Sequence, residues 1–380
     1  MTSRALFIGA GKIGRGFLAH LAYRSGCALA FADANAQLIG LLADRRAYRL
    51  HMLGAPEKDE TIAGFDAFLA DSDDVTRAGR EADVIFVSVG GPNLGAAGQV
   101  LARLASVRTS SVNVIVGENW PDAAAELKAA AQSPPTLAIA EATILRSCIE
   151  PTEQQRAEDP LSVQCQDYWE LPVDADALAD PVPQIDGMIP TPHFQNALKR
   201  KVYTYNAINA TIAYLGHLRG HRFLADAAHD PAVLDHALGV TREVDEAICR
   251  TFGYDRRDQD GFSKRALRKF QNPLIVDPIE RQVRDPIRKL GRHDRLVGAA
   301  MLALYAGITP GELALAIAAA LAYRNSSDPS AVRLEQLVIE SGLGGALANI
   351  AGLEADGPLV RLVVERAADL PGLIAQRAAR

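Results

Sequence analysis

Short apolar runs alternate with helical patterns over the first 150 residues of the chain. The runs that predict buried strands are 5–8, 28–33, 82–92, 112–119 and 136–144. Their near-continuous apolar composition is typical of strands covered on both faces in a parallel sheet. Helical spacing follows at 17–23 and 37–46, and a polar turn at 55–60 predicts a short hairpin connection. We therefore expect an α/β arrangement in this part of the chain.

The pattern changes after residue 150. Polar residues dominate 150–159, and five prolines between positions 172 and 192 stop any long element. Beyond them helical spacing predicts helices at 196–215, 223–238, 242–252 and 263–270, and a pair of core helices within 301–323, separated at Pro310. The sequence thus predicts two domains, at residues 1–190 and 191–380, of which the second is mainly α-helical.

A glycine-rich loop follows the first predicted strand. In a dinucleotide-binding βαβ unit the first glycine makes a tight turn, the second lets the backbone approach the pyrophosphate, and the third lets the helix pack on the strand. The N–H groups that begin the next helix would face the phosphates. Because a strand precedes this loop and a helix follows it, we predict a Rossmann-like NAD-binding domain. Its loop residues that bind the cofactor would be Gly9, Gly11, Lys12, Ile13 and Gly14.

Other candidate cofactor contacts lie where later strands end. Asp33 ends the second strand, where a carboxylate accepts hydrogen bonds from the adenosine ribose and repels a 2′-phosphate, so NAD is favoured over NADP. A turn or helix N-cap is the alternative role for Asp33. Val89, Gly90 and Asn119 follow two further strands, and Arg146 a third, so we expect them at the carboxyl edge of the sheet.

Composition limits the possible partners. The chain has 380 residues, a formal net charge of −6 and a pI near 5.8, which disfavour nucleic-acid and anionic-membrane partners. The four cysteines show no spacing suited to zinc, so we expect reduced thiols and no metal. We see neither an export signal nor an apolar run long enough to span a bilayer, and expect a cytoplasmic protein, as a monomer or a homodimer.

The helix at 196–215 carries candidate catalytic groups. At 100° per residue, Asn206 lies about 140° and Asn209 about 80° around the helix from Lys201, so all three would share one broad face. A hydroxyl loses hydride only if its proton also leaves, and an amine whose pKa is lowered by an apolar site can take that proton. Amides of Asn119 and Asn206 would stabilise the developing alkoxide. A solvated surface lysine is the alternative interpretation of Lys201.

Five stretches of the chain carry a resemblance to one known family: 7–17, 117–119, 201–216, 270–273 and 280–296. In these the chain resembles the polyol-specific long-chain dehydrogenases, the mannitol dehydrogenase family, and most closely the mannitol-1-phosphate 5-dehydrogenase branch. The resemblance implies a metal-independent, NAD-linked oxidation of a secondary hydroxyl of a sugar alcohol. It also implies that Lys201 acts as acid and base, and that asparagines polarise the oxygen.

Two positions depart from the pattern of that family. The family usually has a histidine where this chain has Asn209, and an amide keeps a donor but loses the titrating ring. It also tends to have an acidic residue where this chain has Leu145, just before Arg146. Both departures fall among the polyol contacts. An unphosphorylated polyol, another phosphorylated hydroxy compound, or an NAD-binding relative without turnover are therefore alternatives.

A basic cluster lies between residues 281 and 292, and consists of Arg281, Arg284, Arg288, Lys289 and Arg292. Guanidinium groups bind phosphate bidentately, so this cluster predicts a phosphate on the substrate. A solvated helical face paired with acidic neighbours is the alternative. In the resemblance, Arg281 and Lys289 match positions that the family uses near its substrate, and Arg284 and Arg288 match extra positions of the phosphate-using branch. We therefore expect a sugar-alcohol phosphate and a keto sugar phosphate as the reacting pair.

Overall fold

The computed structural model describes residues 2–120 and 122–375 of the chain. The chain divides into two compact units, Met1–Ala197 and Leu198–Arg380. The boundary predicted at residue 190 lies a few residues before this division. The strands of the first unit are β1 (Arg4–Ile8), β2 (Ala28–Asp33), β3 (Ala47–Met52), β4 (Glu60–Ala63), β5 (Asp66–Leu69), β6 (Val84–Val87), β7 (Val112–Val116), β8 (Leu137–Glu141), β9 (Cys148–Ile149), β10 (Val163–Cys165), β11 (Leu171–Asp174) and β12 (Met188–Thr191).

The helices of the two units follow in chain order. The first unit has α1 (Ala19–Arg24), α2 (Ala36–Arg45), α3 (Asp73–Glu81), α4 (Leu94–Ser106), α5 (Ala123–Ala130) and α6 (Glu153–Glu158). Helix α7 (Phe194–Lys201) spans the division between the units. The second unit continues with α8 (Ala207–Leu218), α9 (Leu224–His229), α10 (Pro231–Phe252), α11 (Arg256–Phe270), α12 (Ile279–Val283), α13 (Pro286–Lys289), α14 (Val297–Tyr305), α15 (Gly311–Leu321), α16 (Pro329–Ala351), α17 (Pro358–Ala367) and α18 (Leu370–Ala375).

A parallel sheet forms the centre of the first unit. In the described part of the chain its strand order is β5-β2-β1-β6-β7-β8, and every neighbouring pair in it is parallel. Strand β1 lies between β2 and β6, so the direction in which the sheet grows reverses at β1. In open α/β sheets ligands bind outside the carboxyl ends of the strands at this reversal. The Rossmann-like prediction for this unit is confirmed.

Strands β1, β6, β7 and β8 of this sheet are buried on both faces over most of their length, as their apolar sequences predict. Phe7 stacks on Phe86 with ring centroids 5.2 Å apart, and its neighbours Leu6 and Ile8 enter the core on the opposite face. This alternation follows from the two-residue period of a strand. Packing on both faces therefore fixes the position of β1, and with it the start of the loop that follows.

Smaller sheets lie beside the central one. The predicted hairpin is present, because β3 and β4 pair antiparallel across the polar turn. Strand β3 also pairs in parallel with β10, which pairs antiparallel with β9, and β11 pairs in parallel with β12. The pairing of β3 with β10 joins segments more than a hundred residues apart. The local patterns that predict single strands do not encode such a pairing.

The described part of the second unit is helical, with α8 packed against α9, α10, α12 and α15. The predicted break between residues 238 and 242 is wrong, because α10 runs unbroken across it. Gly239 lies against Glu312, where an added Cβ would approach the Glu312 Cγ to 2.5 Å. This glycine therefore permits close packing and does not end a helix. The predicted pair of core helices is present as α14 and α15, with Pro310 at the start of α15.

Candidate functional site

The three glycines of the loop after β1 differ in what surrounds them: two lie against protein backbone and one faces open space. Gly9 has φ +99°, and a Cβ there would lie 2.2 Å from the Ser88 carbonyl oxygen. A Cβ on Gly14 would lie 2.2 Å from the Gly9 carbonyl oxygen. A Cβ on Gly11 would meet no described protein atom within 4 Å. The protein's own packing thus requires the first and third glycines, while the space beside Gly11 fits the close approach of a pyrophosphate.

The helix after this loop contains a π-helical turn. Residues 12 and 13 are helical, the π turn spans Gly14–Leu18, and α1 continues from it. Lys12 is exposed and pairs with Glu150, and Ile13 is half-buried. Single π turns within helices are frequent at functional sites. The sequence pattern predicted a helix here but contained no sign of the wider turn.

Asp33 lies at the end of β2, as predicted, and contacts the glycine loop. Its Oδ2 accepts a hydrogen bond from the Ala10 N–H at 2.7 Å, and its Oδ1 accepts one from the Asn35 N–H at 2.9 Å. The N-cap of α2 is Asn35, whose side chain accepts from the Leu38 N–H. An ionised carboxylate accepts about four hydrogen bonds. Asp33 can therefore hold the loop and still accept from ribose hydroxyls.

The loop after β6 is held by Glu118, and the local sequence pattern contains no sign of this contact. Gly90 has φ +83°, and its N–H donates to the Glu118 Oε1 at 2.7 Å. Burial raises the pKa of Glu118, against the effect of the N–H groups of Gly90 and Val89, which favour the charged form. Asn119 follows directly and is exposed at the end of β7. Glu118 thus ties together the two loops that carry the predicted cofactor contacts Val89, Gly90 and Asn119.

Arg146 lies in the interior of the first unit. It is 2% exposed, its Nη2 lies 3.2 Å from the His20 Nδ1, and its Cζ lies 4.9 Å from the Trp169 ring centroid. Burial lowers the pKa of His20 to about 4, and the charge of Arg146 acts in the same direction against a hydrogen bond to Glu60. Arg146 therefore packs among aromatic rings. Its role in substrate binding stays a prediction.

A second π turn follows the predicted catalytic lysine. Helix α7 ends at Lys201, the π turn spans Val202–Asn206, and α8 follows. Lys201 is 9% exposed, and Asn206 and Asn209 are half-buried. The spacing of 100° per residue is wrong across this turn, because a π turn is closed by i→i+5 hydrogen bonds. In such a turn, the angle around the helix axis between residues five apart is smaller than in a regular α-helix. The π turn therefore moves Asn206 towards the face of the helix that carries Lys201.

The basic cluster does not form a single helical face. Helices α12 and α13 are separated by Asp285, which has φ +56°. Three arginines pair with neighbouring carboxylates: Arg281 with Asp277 at 3.0 Å, Arg284 with Glu280 at 3.8 Å, and Arg288 with Asp285 at 2.6 Å. The side chains of Arg281 and Arg284 are 65% exposed. These guanidinium groups are thus both ion-paired and open to solvent.

Lys289 differs from its basic neighbours because it is buried. It is 5% exposed, and its Nζ donates to the carbonyl oxygens of Gln282 and Arg284. Burial lowers the pKa of Lys289 to about 7, and the positive charges of Arg295 and Arg288 act in the same direction. A negative charge brought close to this amine would raise its pKa again.

No group of three or more His, Cys, Asp or Glu side chains within residues 2–120 and 122–375 could hold a metal ion. The helices of that same part of the chain include none that is both long and apolar enough to cross a membrane.

The Rossmann sheet, the glycine loop and an aspartate at the end of β2 are the features of a dinucleotide-binding protein, and a helical second unit follows them in the chain. Residues 3–187 match the mannitol dehydrogenase Rossmann domain, and residues 193–341 match the mannitol dehydrogenase C-terminal domain. A mannitol-1-phosphate 5-dehydrogenase from Bacillus licheniformis is 32% identical over 372 residues, which cover 95% of this chain and 98% of that protein. The chain belongs to the mannitol dehydrogenase family.

Solved structures show the same fold. Mannitol 2-dehydrogenase from Pseudomonas fluorescens, in a ternary complex with NAD and D-mannitol, superposes with a TM-score of 0.73 at 16% identity, covering 99% of this chain and 94% of that one. A D-sorbitol dehydrogenase superposes with a TM-score of 0.77 at 12% identity, covering 100% and 95%. The predicted family, the fold class and the class of polyol dehydrogenase are confirmed.

Proposed function

We propose that this enzyme interconverts a sugar-alcohol phosphate and a keto sugar phosphate, of the mannitol 1-phosphate and fructose 6-phosphate type, with Lys201 as acid and base and without a metal ion. The observation that carries the lysine assignment is the burial of Lys201 directly before a π turn. The identity of the substrate is supported by the relative from Bacillus licheniformis, which is named for mannitol 1-phosphate and matches nearly the whole chain.

The first unit supplies the cofactor contacts. The N–H groups that begin the helix after Gly11 face a pyrophosphate, and the carboxylate of Asp33 accepts from the ribose hydroxyls and repels a 2′-phosphate. NAD, when bound, supplies the acceptor for the hydride that leaves the substrate carbon. Glu118 keeps the Val89–Gly90 backbone and Asn119 in a fixed relation.

The second unit supplies the proton chemistry. The amine of Lys201 takes the hydroxyl proton during oxidation and returns it to the carbonyl oxygen during reduction. The amide of Asn206 donates a hydrogen bond to that oxygen and stabilises its negative charge. Asn209 offers a further amide donor, and because an amide does not titrate, it adds no pH-dependent step of its own.

The phosphate is bound by three arginines of the basic cluster, and Arg292 is not one of them. Arg281, Arg284 and Arg288 present exposed guanidinium groups, and their carboxylate partners are replaced when a phosphate dianion offers more acceptor oxygens. The buried amine of Lys289 donates to the Arg284 carbonyl oxygen. An unphosphorylated polyol is the second candidate substrate, and it is favoured by the carboxylate that each of these arginines already contacts.

Substitution of the two lysines of α7 tests this function. Lys201→Met should lower the turnover rate by about 10²- to 10⁴-fold, the usual contribution of a general acid or base. It should leave NADH binding, followed by fluorescence, unchanged. The matched control is Lys199→Met, which removes a lysine two residues earlier and should keep full activity. Undiminished turnover of Lys201→Met would refute the lysine mechanism.

A further inference from the structure

One buried amide joins residues on both sides of Lys201. Gln259 in α11 is fully buried, and its Oε1 accepts from the Arg200 Nε at 2.6 Å. Its Nε2 donates to the Thr204 Oγ1 at 3.1 Å. Arg200 directly precedes Lys201, and Thr204 lies within the π turn that follows it. The side chain of Gln259 therefore bridges the segment that carries Lys201.

The orientation of this amide is fixed by its charged partners. The Nε2 also donates to the Asp245 Oδ1 at 2.7 Å, and that oxygen accepts from the Ser263 Oγ at 2.5 Å. An arginine can only donate and an ionised carboxylate can only accept, so the carbonyl end must face Arg200 and the NH₂ end must face Asp245. Asp245 is 3% exposed, which keeps water from replacing these contacts.

Arg200 is itself held firmly against α11. Its guanidinium carbon lies 4.2 Å from the ring centroid of Tyr254 and 4.3 Å from that of Phe262. Its Nη2 lies 2.8 Å from the Asp258 Oδ2. Gln259 thus accepts from a side chain that is already immobilised, and the restraint passes to the backbone on either side of Lys201.

The π turn at Val202–Asn206 requires contacts that stabilise it. A π turn is rare and occurs mostly as a single turn within an α-helix, so surrounding contacts must stabilise it against a regular α-helical path. Reversion to the α-helical path would change the angle between Lys201 and Asn206 by most of a residue step. A buried hydrogen bond from α11 to Thr204 acts at the middle of this turn.

We propose that Gln259 is a positioning residue, which through Arg200 and Thr204 holds the π turn so that Lys201 and Asn206 face the same substrate oxygen. This proposal rests on the proposed role of Lys201 in proton transfer. Gln259 does not itself touch the reacting atoms, and Asp245 sets its orientation.

Two variants test the link to the π turn. Thr204→Val removes only the hydroxyl that receives the Gln259 hydrogen bond, and Gln259→Leu removes the whole bridge. We expect kcat to fall by about 10- to 100-fold in Gln259→Leu, the scale of loss for a misplaced catalytic group, and by less in Thr204→Val. NADH affinity should be unchanged. The acid limb of the pH profile of kcat should shift in both variants.

Exchange of the amide and the carboxylate gives a sharper test. Gln259→Glu alone places a second carboxylate oxygen at the 2.7 Å contact with Asp245, which is repulsive. Adding Asp245→Asn restores one donor facing one acceptor, the carboxylate introduced in α11 still accepts from Arg200, and the Thr204 hydroxyl keeps its contact by donating to that carboxylate. The double variant should regain kcat and the wild-type pH profile to within a few-fold of the wild-type values, which a general loss of stability would not allow.

The matched control is Asp230→Ala, which breaks a buried polar network of the same unit at the start of α10. It should lower the melting temperature and leave kcat and its pH profile unchanged. Wild-type kcat and pH profile in both Gln259→Leu and Thr204→Val, or failure of the exchange to rescue, would overturn the positioning role. Lys201→Met is assayed in parallel: if it keeps turnover, the proposed function itself fails, whatever Gln259 does.

Discussion

Burial separates the charged residues of this chain into two kinds that the sequence pattern does not distinguish. Lys289 and Arg288 are neighbours in one basic run, yet Lys289 is 5% exposed while the Arg288 side chain is 40% exposed. Arg146, placed in the sequence at the end of a strand, lies among aromatic rings. Tertiary packing decides which of these charges a solvent-borne substrate can reach, and local sequence carries little of that information.

The buried amine of Lys289 makes stability depend on pH. Its pKa is about 7 in the folded protein, and a lysine in an unfolded chain has a pKa of about 10.4. Between these values the unfolded chain binds more protons, so this residue makes the free energy of unfolding rise with pH, by up to about 1.4 kcal/mol per pH unit. Lys289→Met should remove that rise.

Urea unfolding at three pH values between the folded and unfolded pKa of Lys289 measures this effect as the difference between wild type and variant. The difference should grow in favour of the wild type as the pH increases. Lys264→Met, which removes an exposed lysine of α11, is the control and should leave the slope unchanged. Parallel curves for wild type and Lys289→Met would contradict the prediction.

The hydrophobic periodicity of the sequence predicted the strands and most of the helices, but it did not predict the π turns. The apolar run at residues 28–33 coincides with β2, because its apolar residues end where Asp33 begins a polar turn. Val202–Asn206 reads as ordinary helix in sequence, since the wider turn depends on contacts such as that from Gln259 to Thr204. The angle between Lys201 and Asn206 around the helix therefore could not be predicted from the local sequence pattern.

The glycine loop provides a prediction at the level of the element. Gly14→Ala places a Cβ 2.2 Å from the Gly9 carbonyl oxygen, so it should cost about 1–3 kcal/mol of stability without any ligand. Gly11→Ala meets no described protein atom within 4 Å and should leave the unliganded melting temperature nearly unchanged. It should abolish the stabilisation by NADH, which for the wild type is about 2.7 kcal/mol at 100 times the Kd.

Thermal unfolding with and without NADH distinguishes the two glycines. The account is wrong if Gly11→Ala lowers the unliganded melting temperature as much as Gly14→Ala does. It is equally wrong if Gly11→Ala keeps the full shift on addition of NADH.

At the scale of the whole molecule, the order of elements could be predicted but not all of their pairings. Alternating strands and helices before residue 150, and helices after residue 190, indicated a Rossmann-like unit followed by a helical one, because each layer type leaves its own period in sequence. No periodicity in the sequence predicted the parallel pairing of β3 with β10. Family membership then connects the two units to one class of reaction.

The measurement that tests the central claim most directly is NADH consumption with fructose 6-phosphate and with fructose at equal concentration. We predict fast turnover with the phosphate and little with fructose. Arg288→Ala should raise the KM for fructose 6-phosphate by roughly 10- to 150-fold, the loss of a hydrogen bond between charged groups. The control is Arg292→Ala, which removes a basic side chain that contacts the Gly352 carbonyl oxygen and should leave the KM unchanged. Equal turnover with fructose, or turnover with neither compound, would contradict the claim.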